Sequence, residues 1–129
     1  MRVAEEAPRL LLELGYWCVQ QGQPADGEKL LQGARVLRPE NPTAAMFLGM
    51  ARFAAGRPAE AERAYREILE ARDDDLTRAF LAEALLAQKR WNDARSLLEE
   101  IVAANRHPAA VRFAGELLEG LKSGVFQRA

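Results

Sequence analysis

Apolar residues recur along the chain at spacings of three and four, which is the period of an amphipathic helix. Ala61, Tyr65, Ile68 and Leu69 form one such row, and polar residues fill most positions between them. No segment has the β-branched, strictly alternating pattern of a half-buried strand. The pattern predicts an all-α chain with helices near residues 8–21, 24–37, 43–55, 58–71, 75–88, 91–104 and 108–121.

The starts of these helices carry recognisable signals. Four of them have a proline at the expected first helical position, where the missing N–H costs no hydrogen bond. These prolines are Pro24, Pro42, Pro58 and Pro108. Asn41 and Asp75 are predicted N-caps, because their short polar side chains can accept from free backbone N–H groups. The connections are short, so successive helices are expected to be antiparallel neighbours.

An internal repeat organises the pattern. The stretch from Leu14 to Arg35 and the stretch from Leu48 to Leu69 both begin with Leu-Gly and continue through Gly-x-Pro into a second apolar row. The equivalent pairs are Leu14-Gly15, Leu48-Gly49, Leu81-Ala82 and Ala114-Gly115, at spacings of 34, 33 and 33 residues. Each unit is therefore predicted to be a helix hairpin, and stacked hairpins share one core.

Small residues recur at one place in each helix of the hairpin. The first helices carry Gly15, Gly49, Ala82 and Gly115 there, and the second helices carry Gly27, Ala61 and Ala94. Glycine costs about 1 kcal/mol in a helix interior. Its recurrence predicts that the two helices of a hairpin approach each other closely at this contact.

These residues resemble the tetratricopeptide repeat, a helix–turn–helix unit with small residues at its eighth and twentieth positions and an aromatic near the twenty-fourth. Tyr65 fits the aromatic position, and Pro39 fits the proline that this family has near the thirty-second position, at the end of the repeat. The resemblance implies a right-handed superhelix of three hairpins and a capping helix, an α-solenoid. It also implies one domain over 1–129, with repeats at about 8–41, 42–74 and 75–107, the capping helix at about 108–121 and a tail at 122–129.

The resemblance further implies that the first helices of the repeats line a concave groove for a partner. The groove residues expected from the repeat positions are Leu12, Tyr16, Val19, Met46, Met50, Phe53, Ala79, Glu83 and Leu86. Methionines and aromatics suit an adaptable surface for an apolar segment. The alternative is that these residues are ordinary core or are covered by the chain's own ends. Basic residues that would grip a C-terminal carboxylate do not occupy these positions, which disfavours a clamp for acidic tails.

Composition narrows the class of protein. The formal net charge of −1 offers no basic patch for nucleic acid. No apolar run approaches the roughly 18 residues of a membrane span, and Glu5 and Glu6 precede the first apolar segment, unlike a secretory signal. Cys18 is the only cysteine, which is compatible with a reducing compartment. A cytoplasmic location without membrane insertion is therefore expected.

No constellation of residues indicates catalysis, a metal or a cofactor. His107 is the single histidine and lies in a predicted turn. The acidic run from Asp73 to Asp75 is explained by helix capping, since three consecutive carboxylates converge poorly on one ion. The chain is predicted to be non-enzymatic and to use no cofactor.

Function is therefore expected to rest on protein binding. The opening stretch from Leu10 to Ala44, with its Leu-x-x-x-Gly helix, Gln-x-Gly turn and closing Pro-Glu, is similar to the tetratricopeptide chaperones of bacterial type III secretion. This resemblance implies a chaperone or adaptor whose partner is a secretion substrate or an export-apparatus component. The alternative is a scaffold subunit of a pilus, motility or envelope assembly. An open apolar groove also favours self-association into a homo-oligomer.

Overall fold

The computed structural model describes the backbone of residues 3–127 and the side chains of residues 6–127. This part of the chain forms seven α-helices and no strand. The helices are α1 (Val3–Gln20), α2 (Pro24–Leu37), α3 (Pro42–Ala54), α4 (Pro58–Ala71), α5 (Asp75–Ala87), α6 (Trp91–Ala104) and α7 (Pro108–Ser123). The predicted bounds of α2, α4 and α6 are confirmed. The prediction for α1 is wrong at its start, because the helix begins at Val3 and contains Pro8.

The chain divides into two compact units, Met1–Ala64 and Tyr65–Ala129, and the division falls within α4. In the first unit, α1 packs against α2 and α3, and α2 packs against α3. Its core contains Leu31, Leu48 and Ala51, each 1% exposed or less. The core therefore joins the second helix of one repeat to the first helix of the next.

The predicted close contact within a hairpin is confirmed in α1 and α2. A Cβ atom built on Gly15 would lie 2.7 Å from Leu31 Cγ and 3.2 Å from the Gly27 carbonyl oxygen. A Cβ atom on Gly27 would lie 2.7 Å from the Gly15 carbonyl oxygen. Gly115 departs from this prediction, because a Cβ atom there would meet nothing within 4 Å.

In the second unit, α6 packs against α5 and α7, and α5 also contacts α7. A row of aromatic rings runs through this unit. Tyr65 and Phe80 have ring centroids 6.0 Å apart, and Phe80 and Phe113 have centroids 5.3 Å apart. Rings at these separations stabilise a core beyond the burial of their surface.

The repeat register is reproduced by the burial of the second helices. Leu31, Tyr65 and Leu98 occupy equivalent positions and are each 1% exposed or less. Gly27, Ala61 and Ala94, at the small-residue position, are all buried. The same repeat positions are buried in all three copies. The internal repeat of the sequence is therefore also a repeat of the structure.

The same turn joins the two helices of each hairpin. The backbone N–H groups of Gln23, Arg57 and Arg90 donate to Cys18, Arg52 and Leu85 carbonyls, at 2.8, 2.9 and 3.0 Å. The preceding residues all have positive φ: +79° at Gly22, +79° at Gly56 and +62° at Lys89. This is the Schellman arrangement that ends a helix, and the third copy adopts it without glycine.

The α4–α5 turn corrects one predicted cap. Asn41 is confirmed as the N-cap of α3, since its Oδ1 accepts from the Thr43 N–H at 2.9 Å. At α5 the N-cap is Asp74 rather than Asp75, because Asp74 Oδ1 accepts from the Leu76 N–H at 3.3 Å. Asp75 is instead the first helical residue, and its buried carboxylate faces Arg106.

His107 is more than a turn residue. Its Nδ1 accepts a hydrogen bond from the Ala110 N–H at 3.2 Å, which makes it the N-cap of α7. Pro108 follows at the first helical position, as predicted. The start of α7 is therefore fixed by His107 and Pro108 together.

Candidate functional site

An aromatic stack joins α1 to α3 in the first unit. The rings of Tyr16 and Phe47 lie 4.7 Å apart between centroids, with 28° between their planes. Both side chains are half-buried, so part of each ring remains accessible. Tyr16 is one of the predicted groove residues, and the stack places it beside α3.

The other predicted residues of α3 share one face of that helix. Met46, Met50 and Phe53 follow one another at spacings of four and three, and all three are half-buried. Phe47 is adjacent to Met46 in sequence and one turn from Met50, so the stacked rings border this row. We call Tyr16, Met46, Phe47, Met50 and Phe53 together the aromatic–methionine face.

Two predicted groove residues of α1 contact the core of the first unit. Leu12 and Val19 pack against the core cluster of Leu31, Leu48 and Ala51. Val19 also lies against the close helix contact, since its Cγ2 would be 2.8 Å from a Cβ atom on Gly27. These two residues therefore contribute to the stability of the first unit.

The predicted residues on α5 belong to the second unit and have a different character. Ala79 is 0% exposed and Leu86 is 4% exposed, so neither offers a free surface. Glu83 is half-buried, and burial raises the pKa of its carboxyl group. Burial also raises the pKa of Tyr65, and the nearby Glu83 charge adds to that shift. Ala79 and Leu86 are therefore core residues of the second unit.

The polar cluster at the start of α5 is internally satisfied. Asp75 accepts from Arg106 Nε at 3.0 Å, from Arg106 Nη2 at 2.9 Å and from Arg78 Nη1 at 2.7 Å. The hydrogen bonds from Arg106 are the main reason that the pKa of Asp75 is lowered. In residues 6–127, no group of His, Cys, Asp or Glu side chains is placed to hold a metal ion.

Phe47 was missed by the prediction of groove residues, although a signal for it exists. Phe47, Phe80 and Phe113 recur at spacings of 33 residues, and each joins a ring contact in the structure. The groove positions implied by the repeat do not include this one. The period of the phenylalanines alone would have indicated a shared packing role.

Comparison with known families agrees with the fold. The family model described as tetratricopeptide repeat matches residues 18–75, somewhat less than half of the chain. The match supports a tetratricopeptide repeat protein, and the seven helices confirm the all-α solenoid class. Such repeats are typically non-enzymatic scaffolds that bind protein partners. No curated protein matches the chain.

No helix within residues 3–127 is long and apolar enough to cross a membrane.

Proposed function

We propose that the chain is a small chaperone or adaptor that binds an apolar helix or extended segment of a protein partner on its aromatic–methionine face. The observation that carries this proposal is the Tyr16–Phe47 stack beside the half-buried row of Met46, Met50 and Phe53. The two helices thereby present apolar side chains that are neither fully buried nor scattered.

The chemistry of these side chains suits such a partner. Methionine is flexible and polarizable, so Met46 and Met50 can adapt to different aliphatic or aromatic side chains. Tyr16 presents a stacked ring with a polar hydroxyl at its edge, an arrangement typical of anchors in protein interfaces. Burying this half-exposed apolar surface against a partner would contribute a favourable free energy of about 25 cal/mol for each Å² of apolar surface removed from water.

Within this function, we favour a cytoplasmic chaperone of the type III secretion class. The similarity of the opening stretch from Leu10 to Ala44 to that group supports it. The partner would then be a secretion substrate or an export-apparatus component, kept soluble until it is transported. In the absence of a partner, the open face favours a homo-oligomer that covers it.

The substitution Met50→Glu tests the binding face. The half-buried Met50 has access to water, so the free variant is expected to fold, whereas a bound apolar segment would have to desolvate the new carboxylate. The expected result is a circular dichroism melt close to that of the wild type together with loss of the co-purified partner. Val36→Glu is the matched control, because Val36 is 80% exposed on α2.

The same experiment separates the alternatives. A collapsed melt of Met50→Glu would assign Met50 to the core, and a folded variant that keeps its partner would move the binding site to another face. The stoichiometry of the wild-type complex distinguishes a chaperone from a scaffold subunit. One small client in near-equal amount supports a chaperone, whereas several large subunits would contradict it in favour of a scaffold.

A further inference from the structure

A second apolar surface lies on α1, away from the aromatic–methionine face. Leu10, Leu14 and Trp17 follow one another at spacings of four and three, and they are 55%, 43% and 55% exposed. We call these three residues the α1 ridge. By helical geometry the ridge points away from Gly15 and Val19, which pack against α2.

The repeat register identifies what kind of face this is. Shifting the three ridge positions by 34, and then by 33 twice, gives the equivalent residues of the later first helices. They are Ala44, Leu48 and Ala51 on α3, Thr77, Leu81 and Ala84 on α5, and Ala110, Ala114 and Leu117 on α7. All nine are 8% exposed or less. Among these four helices, α1 is therefore the one whose equivalent face is exposed to solvent.

The later repeats show what covers such a face. In the first unit, α2 packs on α3, and Leu31 of α2 shares a core cluster with Leu48 and Ala51. In the second unit, α6 packs on α7, whose Ala110, Ala114 and Leu117 are buried. In both cases the covering element is an amphipathic helix that precedes the covered one. The shape that fits the ridge is therefore a helix.

The charges beside the ridge restrict the chemistry of that helix. Glu13 lies one turn from both Leu10 and Trp17, and Glu6 lies one turn before Leu10. Both are exposed, and Arg9 Nε pairs with Glu13 Oε1 at 3.1 Å. Among residues 6–17, the flank of the ridge thus carries two carboxylates and one guanidinium, a net negative charge. A helix with lysine or arginine on the matching flank would complement it.

A second copy of the chain fits less well. Two α1 helices packed antiparallel on their ridges would bring the same flank of each helix together. The Glu6 and Glu13 carboxylates of both copies would then lie along the same side of the interface, and like charges across an interface are unfavourable. Within residues 6–20, the other flank carries Ala7 and Cys18 and no cation that could compensate.

We propose that the α1 ridge is a docking site for an amphipathic helix of another polypeptide, with aliphatic side chains at spacings of three and four and basic residues on one flank. The helix takes the place that α2 has on α3 and extends the stacking of the repeats by one helix. This site is independent of the aromatic–methionine face, so each can be lost without the other.

The test uses the full chain and a defined probe. The probe is a fluorescein-labelled synthetic helix of about 20 residues, a length that allows stable helix formation, with leucines at spacings of three and four and lysines on one flank. Its control carries glutamate in place of every lysine. Fluorescence anisotropy is expected to show saturable binding of the lysine probe and binding weaker by about tenfold or more for the glutamate probe.

Variants of the chain locate the bound probe. Trp17→Glu is expected to weaken binding of the lysine probe by about tenfold or more, and Leu10→Glu is a second variant at equal exposure. Val36→Glu on α2 is expected to leave binding unchanged. The ridge substitutions are compared in the Met50→Glu background, so that probe bound on the aromatic–methionine face does not contribute. Since Trp17 and Leu10 are more than half exposed, circular dichroism melts of both variants should match the wild type.

Four results would overturn the proposal. They are no saturable binding of the lysine probe, equal binding of the glutamate probe, binding that survives both ridge substitutions, and binding lost only in Met50→Glu. Sedimentation velocity supplies a fifth: a wild-type dimer that dissociates on Trp17→Glu would assign the ridge to a second copy of the chain.

Discussion

Arg106 and Asp75 are joined by two hydrogen bonds, from Nε to Oδ2 at 3.0 Å and from Nη2 to Oδ1 at 2.9 Å. The pair ties the α6–α7 turn to the first residue of α5 across 31 positions of sequence. The Asp75 side chain is 4% exposed, whereas that of Arg106 is 63% exposed. The buried carboxylate therefore depends on an arginine that reaches it from the surface.

This pair predicts a pH-dependent contribution to stability. The hydrogen bonds from Arg106, followed by those from Arg78, hold the pKa of Asp75 below its ordinary value of 3.8. A lowered carboxyl pKa stabilises the fold above the ordinary value, and the contribution is lost as pH falls through the folded-state pKa. Asp75→Asn should lower the urea midpoint at pH 7, and its difference from the wild type should shrink below pH 3.8.

Asp73→Asn is the control for this prediction, because the Asp73 side chain is 84% exposed and should contribute little. Urea titrations of the three proteins at several pH values give the comparison. A difference for Asp75→Asn that is the same at all pH values would mean that shape, and not charge, accounts for its effect.

Glu83 is predicted to act with the opposite sign. Burial raises the pKa of its carboxyl group above the ordinary 4.5, so the fold favours the neutral form. Stability is then fully present below pH 4.5 and falls as pH rises through the folded-state pKa. Glu83→Gln should raise the melting temperature at pH 7 and have no such effect at low pH. Glu119→Gln, on the exposed surface of α7, should change neither, and an unchanged or lower melt of Glu83→Gln at pH 7 would contradict the prediction.

Replacing Lys89 with glycine is predicted to stabilise the protein. A non-glycine residue in the left-handed region costs about 1–2 kcal/mol, and Lys89 adopts φ +62° in a turn where the other copies have glycine. Lys89→Gly should therefore raise the free energy of unfolding by up to about 1 kcal/mol after the entropy of glycine is included. Chemical denaturation measures the change.

The converse substitution gives the control for this turn. Gly56→Ala should destabilise the protein although a Cβ atom at Gly56 would meet nothing within 4 Å, because its φ is +79°. A gain in stability from Gly56→Ala would show that the left-handed conformation is not required at this turn.

The close contact of α1 with α2 is predicted to reject a single methyl group. At Gly27 the nearest atom is a backbone carbonyl oxygen, 2.7 Å from the new Cβ, so α1 and α2 must separate. Gly27→Ala should cost roughly 1–3 kcal/mol of unfolding free energy through overpacking. Gly115→Ala should instead stabilise by about 0.5–1 kcal/mol, because Gly115 is inside a helix and has open space. Equal thermal shifts for the two variants would refute the close contact.

The fold could be predicted from the sequence because the repeat supplies the same information several times. Residues such as Leu31, Tyr65 and Leu98 stand at one offset and are all buried, so an error in one copy is corrected by the others. Helix starts were also accessible, since Pro24, Pro58 and their equivalents mark them locally. The start of α1 was not, because Pro8 resembles a starting signal but stands inside the helix.

Most of the features that escaped prediction depend on partners distant in sequence, and one depends on a turn without its usual glycine. Three consecutive aspartates offer the same local chemistry, and the hydrogen bonds from Arg106 and Arg78 distinguish Asp75 from Asp74. The turn at Lys89 carries no glycine, yet the N–H of Arg90 still bonds to the Leu85 carbonyl. In the candidate site, the row of Met46, Met50 and Phe53 was readable from helical spacing, whereas the stacking of Tyr16 on Phe47 required the α1–α3 packing. The binding role of these residues stays a prediction.

The size of Trp17 limits how the repeats can be exchanged by recombination. Its equivalents Ala51 and Ala84 are both 0% exposed, so the packed helices leave room there for a methyl group and not for an indole. A gene conversion that copied the α1 segment over α3 or α5 would place a tryptophan in a filled core. Such a product should fold poorly, although every hydrophobic position would keep its pattern. The units of this chain are thus alike in register but not interchangeable in order, and selection against such recombinants would keep their sequences divergent.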